Sequence, residues 1–213
     1  MKIISYQDIY EKSWIYTKAL AYIFSEFWDD RETEKTHFTT DPYEDSIELI
    51  AVEGDKVIGL LDLGIYNQKA SEHYFYYPCR KLAYFANFAV HPDHQGQGIA
   101  QALFEKAEEL LRLKKVSALS IYTRGDAVAN HLYQKWAGEP ICETYLVEGR
   151  LLSDKKVKLG FDAKQRKLSY QTLTGESLPY TFYGGHYSVA NSEDLDLFDC
   201  DSITKERTYL KLL

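Results

Sequence analysis

A glycine-containing segment, Gln95-Gly96-Gln97-Gly98, joins an apolar run to a stretch of helical periodicity, and residues of this kind can bind an anion. A strand that turns directly into a helix leaves free backbone N–H groups and the positive end of the helix dipole at the turn, and glycines let an anion approach the main chain. The dinucleotide fingerprint would require glycine at Gln101, and a Walker A loop would require Gly-Lys-Ser/Thr, so neither nucleotide loop is present. The segment predicts a pyrophosphate site of another kind.

Two elements would position this segment. Leu82 to Val90 is a run of nine uncharged residues, which predicts a buried central strand that Pro92 stops. After Gly98, apolar residues recur at helical spacing and predict an amphipathic helix to about Lys114. The glycine segment is therefore expected between a buried strand and a helix N-terminus.

The rest of the first 140 residues alternates between helical and strand patterns. Ser5 with Asp8 three residues on is typical of a capping box. An apolar stripe at helical spacing follows and predicts one or two helices over about residues 6 to 30; its members are Ile15, Ala19, Tyr22, Ile23 and Phe27. The other predicted elements are a hairpin of Ile47 to Val52 and Val57 to Tyr66, a strand over Val116 to Thr123, and a helix over Ala127 to Ala137. This order of elements predicts an α/β fold with a crossover.

Helical periodicity ends after Pro140. Short strand patterns follow, with a turn signal at Thr174 to Ser177 and a Gly184-Gly185 pair typical of a hairpin loop. The acids that alternate with Leu195 and Leu197 indicate an edge strand rather than a calcium loop, because the glycine and final glutamate of such a loop are missing. The predicted strands are Ile141 to Val147, Val157 to Asp162, Leu168 to Leu173, Pro179 to Tyr183, His186 to Ala190 and Leu195 to Phe198.

The sequence around the glycine segment resembles the GNAT superfamily of acyl-CoA N-acyltransferases. The phosphate loop of that superfamily has the pattern Gln/Arg-x-x-Gly-x-Gly/Ala after a strand ending in Val-x-Pro, and Val90-His91-Pro92 followed by Gln95 to Ala100 fits every position. A second helix carrying Leu132-Tyr133 follows about 35 residues later. The resemblance implies a GNAT-like mixed, splayed β-sheet flanked by helices, with a β-rich C-terminal extension or insertion.

The resemblance also implies which residues hold the acetyl donor, acetyl-CoA. It would lie between two diverging parallel strands, with backbone groups of Phe88, Ala89 and Val90 holding the pantetheine and polarising the thioester carbonyl. The residues expected at the pyrophosphate are Gln95, Gly96, Gln97, Gly98, Ile99 and Ala100. Tyr133 matches the tyrosine that protonates the leaving thiolate in many members, and Asn130 matches an asparagine that contacts CoA. Core packing is the alternative role for Tyr133, and capping or solvent exposure for Asn130.

The general base is not identified by the sequence. Many family members place a glutamate or aspartate in the central strand, but Leu82 to Val90 contains no carboxylate. The candidates are His91, the Glu72-His73 pair, and a water chain from Tyr84 or Asn87.

The net charge of −7 is concentrated in one window. Residues 26 to 55 contain eleven acids against Arg31 and Lys35, a balance of −9, and the remaining chain has +2. This balance argues against a general binder of nucleic-acid phosphates. The resemblance implies that this acidic window borders the side of the active-site cleft where the acceptor binds, and carboxylates there would concentrate a cationic amine. The alternative is that the window is a solvated helix end.

The sequence further predicts a cytoplasmic protein with free thiols. No signal peptide or membrane span is indicated, and no metal site is predicted. Cys79, Cys142 and Cys200 are an odd number without C-x-x-C spacing, so neither a disulfide framework nor a zinc ribbon is indicated.

We expect three parts: a GNAT-like core over residues 1–149, a β-rich insertion or extension over 150–200, and the final strand of the core sheet within 201–213. The predicted activity is direct transfer of acetyl from acetyl-CoA to a primary amine of a small, cationic acceptor. A non-catalytic acyl-CoA sensor and a peptide or protein N-acetyltransferase are the alternatives. A homodimer is compatible with the sequence.

Overall fold

The computed structural model describes residues 1–23, 25–27, 30, 32–152, 157–162, 167–172, 174–175, 186–189 and 191–213. These residues form two compact units: Met1–Cys142 together with Arg207–Leu213, and Glu143–Glu206. All residues predicted to bind acetyl-CoA belong to the first unit. The division into 1–149, 150–200 and 201–213 stays a prediction.

The described part of the chain contains ten strands and four α-helices. The strands are β1 (Lys2–Ser5), β2 (Tyr43–Glu53), β3 (Lys56–Tyr66), β4 (Leu82–Val90), β5 (Ala118–Thr123), β6 (Cys142–Leu151), β7 (Val157–Asp162), β8 (Lys167–Thr172), β9 (His186–Val189) and β10 (Phe198–Leu212). The helices are α1 (Glu11–Tyr22), α2 (Gln68–Glu72), α3 (Ile99–Leu113) and α4 (Ala127–Ala137). The predicted strand over Leu82 to Val90, the helix that follows Gly98, and the helix over Ala127 to Ala137 are confirmed.

The sheet of the first unit is open and mostly antiparallel, with strand order β1-β2-β3-β4-β5-β10. The predicted β2–β3 hairpin is confirmed, with Glu53 opposite Lys56 across its turn. Only β4 and β5 run parallel, and the Arg207–Leu212 segment of β10 pairs antiparallel with β5. This sheet flanked by helices is the predicted mixed α/β fold.

The two parallel strands separate along their length. Pairs join Leu82–Phe85 of β4 to Ala118–Ile121 of β5, and no pair follows Phe85. On its other edge β4 continues to pair with β3 as far as Val90, with a register shift that leaves Ala86 without an opposite residue in β3. The backbone of β4 after Phe85 therefore has a free edge on the β5 side, as the predicted splay requires.

The N-terminal segment corrects two sequence predictions. Ser5 ends β1, which pairs with β2, so the predicted capping box is wrong, and α1 covers only Glu11–Tyr22 of the predicted residues 6–30. The helix buries Trp14, Thr17 and Lys18 rather than the apolar stripe that predicted it. Ser5 lies in a strand because the backbone of β1 forms its hydrogen bonds with β2, and local sequence does not reveal this distant partner.

Helices pack on both faces of the first unit's sheet. Trp14 of α1 forms one core cluster with residues that include Ile50 and Leu60, while α3 and α4 contribute to the other cluster. Gly59 allows α3 to approach β3, because a Cβ at this position would lie 2.7 Å from the Ile99 side chain. The glycine segment is thereby fixed against the sheet.

The second unit contains paired short strands. Its strands β6 to β9 agree with the predicted short strands in this region, and the structure pairs β6 with β9 and β7 with β8. The predicted strand over Leu195 to Phe198 is wrong: Ser192–Leu197 form a 3₁₀ helix, in which the Asn191 side chain donates to Asp194 and acids occupy the first turn. The predicted strand Pro179 to Tyr183 and the Gly184-Gly185 turn lie outside the described residues.

Within the described residues, no helix is long and apolar enough to cross a membrane. Cys79, Cys142 and Cys200 form no disulfide with one another, in agreement with the prediction of no disulfide framework.

Candidate active site

The glycine segment forms a turn that exposes the start of α3. Gly96 and Gly98 have left-handed backbone angles, φ 73° and 79°, and a Cβ on either would meet no atom within 4 Å. Gly98 is the N-cap of α3 and supplies no capping side chain, whereas Asp126 caps α4 by accepting from the N–H groups of Val128 and Ala129. The start of α3 therefore has no capping side chain from its N-cap residue and has open space beside both glycines, an arrangement that fits a pyrophosphate.

Polar side chains hold this turn in place. Gln95 Nε2 donates to the Val90 carbonyl at 3.3 Å, and Gln97 Nε2 donates to the Asp93 carbonyl at 3.4 Å. The Nδ1 atom of His91, a candidate base, accepts from the Asp93 N–H at 3.2 Å. Gln95 to Ala100 thus form one continuous surface at the start of α3, with Ile99 buried beneath it.

The free edge of β4 presents the main chain of Phe88. The Tyr22 hydroxyl of α1 lies 3.3 Å from the Phe88 carbonyl oxygen and 3.5 Å from the Phe88 nitrogen. Because both main-chain groups approach Tyr22, they point away from β3 and towards the gap beside β5. This is the position from which a backbone N–H can polarise a thioester carbonyl.

Tyr133 lies in the core near the same gap. Its ring is 5.6 Å from Phe85, 6.4 Å from Phe88 and 6.0 Å from Tyr209, measured between ring centres. Burial raises the pKa of its phenol well above the ordinary value, so the hydroxyl stays protonated at neutral pH. Among the described residues the hydroxyl has no hydrogen-bond partner. Its role as the acid for the CoA thiolate stays a prediction.

Asn130 organises the chain beside α4. Its Nδ2 donates to the carbonyls of Arg124 at 2.6 Å and Asp126 at 2.7 Å, and its Oδ1 accepts from Tyr209 at 2.7 Å and Arg207 at 3.2 Å. Intramolecular bonds therefore use both ends of the amide. The predicted contact with CoA is untested.

The candidate bases are dispersed. Glu72 and His73 are exposed at the end of α2, where His73 contacts the Lys69 carbonyl at 2.8 Å. Asn87 of β4 is buried, and its Nδ2 donates to Asp62 Oδ2 of β3 at 3.2 Å. Strand β3 thus places the carboxylate of Asp62 beside the central strand β4.

Asp62 is the residue that the sequence analysis missed. Its side chain is fully buried, with Oδ2 3.3 Å from Lys35 Nζ, and Lys35 also contacts Glu48 at 2.6 Å. Desolvation is the main cause that raises the pKa of Asp62 to about 7, with Glu48 adding to the rise and Lys35 and Asn87 opposing it. A sequence signal was available, because Asp62 is the single charged residue in the apolar run from Val57 to Tyr66.

A cavity of about 330 Å³ lies along α1. The apolar stripe of α1 lines this cavity and does not face the sheet. Its described lining residues are Ile15, Lys18, Ala19, Tyr22, Ile23, Asp30 and Glu32. Lys18 Nζ bonds Asp30 at 3.0 Å and Glu32 at 2.7 Å, so the described lining carries two carboxylates against one ammonium.

Much of the acidic window is paired with cations. Glu48 binds Lys35, Asp45 binds Lys114 at 2.6 Å, and Glu44 binds Lys81 at 3.0 Å. These pairs neutralise carboxylates locally, which weakens the field that the sequence alone suggests. The acids that border the cavity are Asp30 and Glu32.

Comparison with known proteins decides the family. The model of the acetyltransferase (GNAT) family matches residues 10–138, more than half of the chain. The chain belongs to the GNAT acetyltransferase family. This GNAT protein accordingly has the fold that the glycine segment predicts, and membership implies acetyl transfer that depends on an acyl-CoA.

The solved structures to which this GNAT protein is similar are distant in sequence. The ribosomal-protein-S18-alanine N-acetyltransferase of Escherichia coli is 15% identical, with 100% of this chain and 94% of that chain covered and a TM-score of 0.46. An aminoglycoside 6'-N-acetyltransferase of Acinetobacter haemolyticus is 17% identical, with 63% and 88% covered and a TM-score of 0.46. A GNAT acetyltransferase of Elizabethkingia anophelis with acetyl-CoA bound is 14% identical, with 100% and 97% covered and a TM-score of 0.46. A comparison with curated proteins finds no significant match.

Proposed function

We propose that this protein is an N-acetyltransferase that moves the acetyl group of acetyl-CoA directly to a primary amine of a small, cationic acceptor. The observation that carries the proposal is the alignment of two features on the β4–α3 connection. The uncapped N-terminus of α3 suits a pyrophosphate, and the outward main chain of Phe88 suits a thioester carbonyl.

Acetyl-CoA supplies the activated acetyl group, and the protein's part is to bind and polarise it. Residues Gln95 to Ala100 would hold the pyrophosphate through main-chain N–H groups. The Phe88 N–H, which lies 3.5 Å from the Tyr22 hydroxyl, would donate instead to the carbonyl oxygen as negative charge develops on it, which lowers the barrier to attack by the amine. Tyr133, protonated at neutral pH, would donate its proton to the departing sulfur.

Direct transfer agrees with the state of the cysteines. An acyl-enzyme route would need a reactive thiolate, and burial raises the pKa of the Cys79 thiol. Cys142 and Cys200 lie outside the residues expected to bind acetyl-CoA. Replacing each cysteine with serine is therefore expected to leave turnover intact.

The cavity along α1 supports the choice of acceptor. Asp30 and Glu32 attract an ammonium group, and Ile15, Ala19 and Ile23 offer an apolar wall to its carbon chain. An acceptor with both a cationic and an aliphatic part matches this lining.

Release of the CoA thiol by the purified full chain tests the proposal on polyamines, aminoglycosides, amino acids and peptides. Turnover on small cationic amines is expected. Turnover confined to peptides would replace the proposal with peptide or protein N-acetylation. Tight acetyl-CoA binding without turnover on any amine would replace it with a non-catalytic sensor.

A further inference from the structure

Three buried polar atoms without a hydrogen-bond partner among the described residues lie around one ammonium group. They are Tyr6 Oη, Trp14 Nε1 and Asp62 Oδ1. Lys35 Nζ lies 4.7 Å from the centre of the Tyr6 ring, 5.2 Å from that of Trp14, and 3.3 Å from the other carboxylate oxygen of Asp62. Buried polar groups are normally hydrogen-bonded, so this cluster is the strongest departure from that rule in the described chain.

The chemistry of the three atoms is complementary. Trp14 Nε1–H and the Tyr6 hydroxyl are donors, and Asp62 Oδ1 is an acceptor. A water molecule that donates to Asp62 Oδ1 and accepts from one of these donors keeps a lone pair for a further proton. The cluster is therefore suited to pass a proton to a carboxylate.

The cluster also lies close to the place where transfer would occur. Asp62 is opposite Asn87 in the β3–β4 register, and Asn87 directly precedes Phe88, whose N–H faces the gap beside β5. Because neighbouring strands are about 5 Å apart, Asp62 lies one strand away from the main chain of Phe88, so a proton from an amine there would need a bridging water to reach the carboxylate. Trp14 connects the cluster to the cavity, because its ring is 5.7 Å from Nζ of Lys18.

We propose that Asp62 is the proton acceptor of the transfer reaction and takes the proton of the acceptor ammonium through one bridging water. This inference rests on the proposed N-acetyltransferase function. It answers the absence of a carboxylate in Leu82 to Val90, because β3 supplies the group from the neighbouring strand.

The ammonium gives one proton to the bridging water, which passes a proton to Asp62, and the carboxylic acid later releases a proton to solvent. The free nitrogen pair forms a bond to the acetyl carbon, and the bond between that carbon and sulfur breaks with its electron pair on sulfur. The nitrogen loses a second proton as the amide forms, and the departing sulfur gains one proton, so these two protons cancel. The products are an amide, CoA thiol and one proton.

The surroundings of Asp62 set the pH at which it can act. The titratable groups that face it, directly or through Lys35 and Glu48, are Tyr6, Glu11, Tyr22, Lys35, His37 and Glu48. The pKa of Asp62, raised to about 7 mainly by burial, places it within reach of neutral pH as a base. The rate is expected to fall as pH drops below 7.

Asp62→Asn and Glu48→Gln form a matched pair for the test. Both remove one carboxylate from Lys35 with little change of shape, but only Asp62 has an unpartnered oxygen and contacts β4. With an amine identified by thiol release, Asp62→Asn is expected to lower kcat at least a hundredfold and to lose the acidic limb of the pH profile. KM for acetyl-CoA should stay within about threefold. Glu48→Gln should keep kcat at its plateau within about threefold of wild type and retain the limb, moved to lower pH because Glu48 no longer adds to the rise of the Asp62 pKa. Asp62→Glu should restore part of the rate.

Two results would overturn the proposal. One is an acidic limb that persists in Asp62→Asn, and the other is the same rate loss and pH profile in Glu48→Gln, which would assign Asp62 a structural role. Carbon-13 NMR of protein labelled at aspartate carboxyl carbons gives a readout without an amine. A resonance that titrates near neutral pH and vanishes in Asp62→Asn is expected, and its absence also overturns the proposal. A titrating Asp62 in a protein that acetylates no amine would overturn the proposed function and, with it, the catalytic use of this carboxylate.

Discussion

The Tyr22 hydroxyl donates to the main-chain carbonyl of Phe88 at 3.3 Å. This bond ties the last residue of α1 to β4 at the start of the gap between the parallel strands. Because Ile15 and Ala19 of α1 and Ile23 just after it line the cavity, the same bond fixes one wall of the expected acceptor site.

Tyr22→Phe should therefore affect the acceptor more than acetyl-CoA. Loss of one partly buried hydrogen bond is expected to lower the free energy of unfolding by about 1 kcal/mol. A less fixed α1 should raise KM for the amine several-fold and leave KM for acetyl-CoA near wild type. Tyr16→Phe is the control, because Tyr16 lies exposed on the same helix. Equal changes of KM for the amine in both variants would show that the Tyr22 hydrogen bond does not contribute to acceptor binding.

Gly98→Asp should abolish CoA binding without unfolding the protein. A Cβ at Gly98 meets no atom within 4 Å, but its φ of 79° makes any other residue cost about 1 kcal/mol or more, and a carboxylate there would repel the pyrophosphate. Calorimetric titration with CoA is expected to show at least a hundredfold weaker binding.

Gly54→Asp is the matched control for this change. Gly54 also has a left-handed φ, 62°, and open space around its Cβ, but it lies in the turn between β2 and β3. It should show a similar drop in Tm with unchanged CoA affinity. Unaltered affinity in Gly98→Asp would mean that CoA binds elsewhere.

Tyr133→Phe should lower kcat by about 10²- to 10⁴-fold, the range for a positioned proton donor. Its hydroxyl has no partner among the described residues, so Tm should stay near wild type while the ring keeps its contacts with Phe85 and Phe88. Tyr209→Phe provides the contrast, because it removes a 2.7 Å bond to Asn130 and should lose stability. Normal turnover in Tyr133→Phe would make this tyrosine a packing residue.

The stability of the protein should depend on pH through Asp62. Its folded-state pKa of about 7 exceeds the ordinary value near 3.9, so the folded state binds more protons than the unfolded state between these values. The contribution of Asp62 to stability therefore decreases as pH rises from about 4 to 7. Urea unfolding at pH 5 and pH 8 should show a larger loss of stability for wild type than for Asp62→Asn. Equal losses in the two proteins would contradict the raised pKa.

Excision of residues 153–196 should leave CoA binding intact. We expect these residues to belong to an insertion, and the Leu152 N–H donates to the Leu197 carbonyl at 2.6 Å, so a short glycine linker can join the two ends. The Arg207–Leu212 segment would keep its pairing with β5. Calorimetry with CoA on the shortened chain checks this, and loss of binding together with a cooperative unfolding transition would show that the excised residues contribute to the site.

Local sequence determined the elements that carry the expected acetyl-CoA site. Apolar patterns are present in each of these elements: Leu82–Val90, Ile99–Leu113 and Ala127–Ala137. The glycines between the first two allow the positive φ angles that the turn adopts. Such signals lie within a few residues of each other, so they do not depend on the rest of the fold. The fold class and the phosphate loop were therefore predictable from the residues and the resemblance they carry.

Tertiary structure decided which side chains meet. Asp62 and Asn87 are 25 positions apart and face each other because of the β3–β4 register, and Lys35 reaches Asp62 from a loop. The stripe of Ile15, Ala19 and Ile23 predicts a buried helix face, yet it lines a cavity because Trp14 and Lys18 pack inwards. Strand register and helix rotation arise from packing of the whole chain, and a periodic pattern alone does not specify them.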